Sequence, residues 1–141
     1  MVKSLLIQLM ILLIRHYHYQ DERRNPNQER LHCIHRGLEY IGHYFTDNIS
    51  LHDIADAAGL SSAYFSTVFK NTVGIPLWDY INSMRIEKAC QLILSEERPG
   101  NMVYVAQECG FNNTANFNKA FRKYTGMSPR EYKAGGFSNI S

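Results

Sequence analysis

The sequence is short of nearly every feature that carries catalysis, secretion or metal binding. Its three cysteines (Cys33, Cys90, Cys109) cannot all pair, and no Cys-x-x-Cys occurs. That excludes a disulfide framework and the common zinc spacings. The plain reading is reduced thiols in a cytosolic protein, with Cys90 and Cys109 as small core residues. His32, Cys33 and His35 lie close together, but no carboxylate or second cysteine pair completes a metal set. Ser62 and Ser66 have no base beside them, and no nucleophile elbow appears. Asp53 and Asp56 read as helix-start and solvent-side acids, not as an acid–base pair. We therefore expect no enzyme, no cofactor and no metal.

Excess charge is lacking too. Fifteen Lys/Arg stand against 13 Asp/Glu, for a formal net charge of +2. Residues 46–141 hold nine of each sign. A nucleic-acid reading must rest on where charges sit, not on how many there are. No apolar run is long enough for a bilayer. The longest, Leu5–Ile14 (LLIQLMILLI), falls well short of the roughly 20 residues a spanning helix needs. No small-residue cleavage site follows it, as a signal peptide requires.

What is present is an ordinary globular balance, 45% hydrophobic and 20% charged, in a chain of 141 residues. One or two small domains fit that length. Residues 1–19 read as an apolar helix. Leu5, Leu6, Leu9, Leu12 and Leu13 suit a helix–helix dimer seam, although folding back on its own domain also fits. Residues 20–30 (QDERRNPNQER) are polar around Pro26 and read as a linker. Two further segments follow, 31–94 and 95–135, with a tail at 136–141.

The centre of the sequence is an internal repeat. Ile54–Tyr80 aligns with Val105–Tyr132. Ala55 meets Ala106, Gly59 meets Gly110, Phe65 meets Phe117, Phe69 meets Phe121, Gly74 meets Gly126, and Tyr80 meets Tyr132. Each copy reads as a short helix, a glycine turn and a second helix ending at a glycine. In the first copy Ser50 is the N-cap of a helix with apolar side Leu51, Ile54, Ala55 and Ala58. Ser61 caps the next helix, Ser62 to Val73. Phe65, Val68, Phe69 and Thr72 face inward there, and Ala63, Ser66, Thr67 and Lys70 face outward. In the second copy Val103 to Cys109 supports a helix capped by Asn112 or Asn113. Phe117, Ala120 and Phe121 face its core, and Ala115, Asn118, Lys119 and Arg122 face out. Small or polar side chains with a cation one turn behind can enter a DNA major groove. Asn pairs with adenine in a bidentate way and Lys with guanine. Pro76 to Leu94 has helical spacing throughout. Its length of roughly 28 Å compares with about 34 Å for one turn of B-DNA.

These pieces resemble the DNA-binding domain of the AraC/XylS family of bacterial transcription regulators. The telling stretches are LHDIADAAGLSSAYFSTVFKNTVGIPLWDYINSMRIEKACQLIL and VYVAQECGFNNTANFNKAFRKYTGMSPREYK. The resemblance implies an all-α fold: seven helices forming two helix-turn-helix units on a long linker helix, here preceded by one apolar helix. It implies a bacterial, cytoplasmic, nucleoid-associated regulator that reads double-stranded DNA in adjacent major grooves, with RNA polymerase as a further partner. It assigns base reading to Ala63, Ser66, Thr67, Thr114, Ala115, Asn118 and Lys119. Ser62, Lys70, Asn113, Arg122 and Lys123 would hold phosphates. Ala63 and Ser66 are small where many relatives place larger side chains, so the first helix is expected to touch fewer base edges and lean on DNA shape. The family usually carries a larger N-terminal sensor domain, of which Leu5–Ile14 looks like the last helix. The rival reading is a helical protein-interaction module whose outward faces read no DNA.

Overall fold

The computed structural model describes residues 2–17, 26–95 and 101–135. These form eight helices and no strand: α1 (Val2–Tyr17), α2 (Pro26–Tyr44), α3 (Leu51–Ala58), α4 (Ser62–Val73), α5 (Leu77–Leu94), α6 (Met102–Glu108), α7 (Thr114–Thr125) and α8 (Pro129–Lys133). The all-α expectation of seven helices behind an apolar first one is met. No helix among the described residues is long and apolar enough to cross a membrane.

The expected linker and boundary both move. Pro26 through Arg30 are the opening turns of α2. Proline has a fixed φ and lacks an N–H, which suits the first helical position, so Pro26 starts a helix instead of breaking one. The rest of the expected linker, residues 20–25, lies outside the described residues, as does the tail 136–141. The chain divides into two compact units within α5, between Tyr80 and Ile81, and not at residue 94. Packing explains why. The Tyr80 ring lies 5.5 Å from Phe69, whereas Ile86, Ala89, Cys90 and Ile93 belong to the core of α6 and α7. The second unit also takes in Phe45–Asn48.

In the first unit Ile34, Leu38 and Ile41 of α2 are buried with Ile54, Ala55 and Ala58 of α3 and Phe65 and Phe69 of α4. Gly37 is what lets α2 approach α4. A Cβ there would fall 2.6 Å from the Phe65 ring. Local capping sets the ends of α3. The Ser50 hydroxyl accepts from the Asp53 N–H at 3.1 Å, and the Ser50 N–H donates to the Asp53 carboxylate at 3.2 Å. Hydrogen bonding to its carboxylate, from the Ser50 side chain and then the Ser50 N–H, lowers the Asp53 carboxyl below its ordinary range. At the other end the Arg36 guanidinium donates to the Ala58 carbonyl at 3.0 Å. Along α1, Ile7 and Ile11 are half-buried one turn apart, while Leu5, Leu6, Leu9, Leu12 and Leu13 stay more than half exposed.

The second unit repeats the aromatic spine of the first. Phe117 and Phe121 are 5.7 Å apart, and Phe121 and Tyr132 are 5.5 Å apart. Their counterparts Phe65 and Phe69 are separated by 5.8 Å. The aligned aromatics therefore pack alike in both copies, the Phe–Phe pairs tilted and the Phe–Tyr pairs edge-on, within the centroid range aromatic pairs favour. Cys90 and Cys109 sit in this core. Burial pushes the Cys109 thiol up to about 12 and raises that of Cys90, which shares a hydrogen bond with Tyr132. Only the thiolate is nucleophilic, so both are inert near neutral pH. A colorimetric disulfide reagent should modify one thiol, the half-buried Cys33, in the native chain. The other two should react only after denaturation, and fast labelling of all three would contradict this packing.

Candidate nucleic-acid interface

Each unit offers one capped helix whose outward face begins with small or polar side chains and carries a cation toward its C-terminal end. For α4 the start is set by Ser61, whose hydroxyl accepts from the Tyr64 N–H at 3.3 Å. Its end is set by Gly74, whose N–H donates to the Lys70 carbonyl. Inward burial of Phe65, Val68, Phe69 and Val73 fixes the rotation of the helix. Ala63, Thr67 and Lys70 are then exposed, and Ser62 and Ser66 half-buried. Ala63, Ser66, Thr67 and Lys70 fall within about 100° of arc at 3.6 residues per turn. The Thr67 hydroxyl donates to the Ala63 carbonyl at 3.1 Å.

In α7 the cap is Asn113, not Asn112. Its side-chain oxygen accepts from the Asn116 N–H at 2.8 Å. Phe117, Ala120 and Phe121 are buried. Ala115, Asn118, Lys119, Arg122 and Lys123 are exposed, and Thr114 is half-buried. Counting from each buried phenylalanine pair, Ala115, Asn118, Lys119 and Arg122 hold the register of Ala63, Ser66, Thr67 and Lys70. The twelve candidate residues thus gather as one cluster on α4 and one on α7, each within its own unit.

The electrostatics of the clusters differ. Among described residues the first unit carries five Lys/Arg and five Asp/Glu, the second seven and four. Arg122 lies 3.9 Å from Glu131, with both side chains at least 60% exposed. So exposed a pair holds its partners weakly and leaves the guanidinium available to a phosphate. Glu131 has a second duty, since its carboxylate accepts from the Ser128 N–H that starts α8. The Lys123 ammonium lies 5.5 Å from the Tyr124 ring centre. Arg130 and Lys133 of α8 are also exposed.

Two residues were given no role in the sequence reading. Tyr64, 43% exposed, flanks the α4 stripe. Its signal was an aromatic directly before the buried Phe65. Arg85 is a buried charge in α5. Its signal was a lone cation on an apolar stripe.

Comparison with known proteins follows the same lines. A family model described as a helix-turn-helix domain matches residues 54–135. The chain is similar to the probable transcriptional regulator LumQ of Photobacterium leiognathi, at 35% identity over 94 residues, covering 67% of this chain and 37% of that protein. It also matches HTH-type transcriptional regulators of Staphylococcus aureus at 28% identity, covering 89% of this chain and 17% of theirs. The chain therefore spans well under half the length of these relatives. Among solved structures it is similar to the C-terminal domain of AraT, a response regulator from Geobacillus stearothermophilus. The TM-score there is 0.67 at 30% identity, over 73% of this chain and 84% of that one. The DNA-binding domain of AdpA, solved in complex with a target DNA, shares the fold. Its TM-score is 0.65 at 21% identity, over 77% of this chain and 95% of that one.

Proposed function

The chain belongs to the AraC-type helix-turn-helix family, and from that premise we propose that it binds double-stranded DNA by sequence and so regulates transcription. The observation that carries this is the shared register of α4 and α7. Two capped helices, each anchored by a buried phenylalanine pair, turn the same four positions to their outward side. Such a face enters a major groove with its N-terminal residues toward the bases.

In this reading Ala63, Ser66 and Thr67 of α4 meet base edges. So do Thr114, Ala115, Asn118 and Lys119 of α7. Ser62, Lys70, Asn113, Arg122 and Lys123 meet phosphates. The Asn113 side-chain oxygen is engaged by its own helix, so its amide nitrogen is the donor left for a phosphate. Phosphate contacts set orientation and salt dependence, and base contacts set sequence choice. The function is binding, not catalysis. Pairing of chains through the exposed leucines of Leu5–Ile14 would add avidity, since a second tethered contact acts at high effective concentration.

Binding-site selection with the full chain, followed by sizing of the complex, tests the proposal. Selected duplexes should contain two half-sites about 10–10.5 base pairs apart, centre to centre. Asn118→Ala should cost about 1–3 kcal/mol on the best site and relax preference at one position. Arg122→Ala should weaken all duplexes alike and flatten the salt slope by about one unit. Enrichment of no motif from a random pool would overturn the function. Sizing that gives one chain per duplex would overturn the pairing alone.

A further inference from the structure

The matched register of the two helices allows their chemistry to be compared position by position. Ala63 corresponds to Ala115, Ser66 to Asn118, and Thr67 to Lys119. At the two positions where α7 exposes an amide and an ammonium, α4 carries the short side chains Ser66 and Thr67. The proton of the Thr67 hydroxyl is engaged within the helix, donated to the Ala63 carbonyl at 3.1 Å. Ser66 is half-buried. What Ala63 and Thr67 turn to a partner is therefore largely methyl surface, with no donor for the acceptor atoms that line purine edges. Among the four ordinary bases one alone presents an apolar group in the major groove, the C5 methyl of thymine. A polar edge pressed against such a surface loses its water without gaining a partner, which disfavours the other bases there.

Resting on the DNA-binding reading above, we propose that α4 selects thymine through its C5 methyl, packed against Ala63 and Thr67, while α7 selects purines through Asn118 and Lys119. The two copies of one device then read opposite chemistries. The first reads by apolar contact and the second by hydrogen bonds to N7-bearing edges. A small side chain at Ala63 is what brings the helix close enough for methyl contact, so it does not mark a reader that has lost its function.

Deoxyuridine differs from thymidine only by that methyl. In the best duplex selected by the full chain, each thymine is replaced singly by deoxyuridine, and binding is measured for the native chain and for Thr67→Ser. Serine can keep the hydrogen bond to the Ala63 carbonyl and lacks only the methyl. Burial of one methyl corresponds to about a fourfold change in affinity. At one or two thymines deoxyuridine should weaken the native chain about fourfold. Thr67→Ser should lose a similar factor on the thymine duplex and show no further loss on the deoxyuridine one. Replacing purines by their 7-deaza analogues should weaken binding at the other half-site, in a manner coupled to Asn118→Ala. A native chain that binds tightly yet ignores every deoxyuridine overturns methyl reading and leaves DNA binding intact. Equal losses for Thr67→Ser on both duplexes do the same. A chain that binds no duplex overturns both readings together.

Discussion

Gly110→Ala should destabilise the second unit by about 1–4.5 kcal/mol, well beyond Gly126→Ala. Both glycines end a structural element in the left-handed region, Gly110 at φ +91° and Gly126 at φ +81°. An L-residue held there costs roughly 1–2 kcal/mol. The stiffer unfolded chain returns about 0.4–1 kcal/mol of that. The two positions differ in what a side chain would meet. At Gly126 a Cβ finds nothing within 4 Å. At Gly110 it would stand 2.7 Å from the Thr46 carbonyl oxygen, 2.9 Å from the carbonyl carbon and 3.0 Å from the Cα. Backbone cannot rotate aside as a side chain can, so the segment must shift, at a further cost of about 1–3 kcal/mol. Urea denaturation of the two variants, compared at equal m-values, isolates the steric part because the dihedral part is common to both. Equal losses in the two would show that the approach of Thr46 to Gly110 is not a close one. For a unit whose whole stability is a few kcal/mol, the expected loss is a large share of it.

That comparison also shows where reading the sequence succeeds and where it stops. A glycine after a short apolar helix is a local signal, and Gly59, Gly74, Gly110 and Gly126 were all legible as turns. The caps Ser50 and Ser61 were legible for the same reason, because a cap acts within three residues. The inward phase of Phe65, Phe69, Phe117 and Phe121 followed from helical period, and the outward register of both candidate clusters came with it. Nothing local announces Thr46 as the neighbour of Gly110. Likewise the carbonyls that hold Arg85 lie 40 and 38 residues away. The division of the chain inside α5 was hidden because its helical spacing runs unbroken through it, so no break in pattern marks Tyr80 as the last residue of one core. Pro26 misled because proline ends helices from within but begins them at the first turn. The hydrogen bond that turns Thr67 into a methyl-bearing surface depends on a rotamer, which residue type alone leaves open.

Arg85→Ala should cost about 2–4 kcal/mol, although no candidate DNA contact involves it. Arg85 is a buried charged side chain of α5. Its Nε donates to the Phe45 carbonyl at 2.6 Å and a terminal nitrogen donates to the Asp47 carbonyl at 3.1 Å. The guanidinium carbon also lies 5.8 Å from the centre of the Phe111 ring. Burial lowers its pKa, yet a guanidinium remains charged across the physiological range. The fork geometry matters, since two carbonyls on one segment are met by two N–H groups in a fixed plane. Arg85→Lys offers a point charge that cannot span both, so it should recover only part of the loss. Arg85→Met keeps the apolar stem and should sit between lysine and alanine, which separates packing from hydrogen bonding. Thr46, which Gly110 abuts, lies between the two residues whose carbonyls Arg85 holds, so the two sites share one segment. Once Gly110→Ala has displaced that segment, Arg85 has less to hold. The double variant should therefore lose less than the sum of the single losses, by at least about 0.5 kcal/mol. Strict additivity would mean that Phe45–Asn48 is kept in place by something other than this clamp. Binding of the selected duplex by Arg85→Lys, measured where the variant is still folded, should match the native chain. That result would separate a residue that builds the second unit from those that meet DNA.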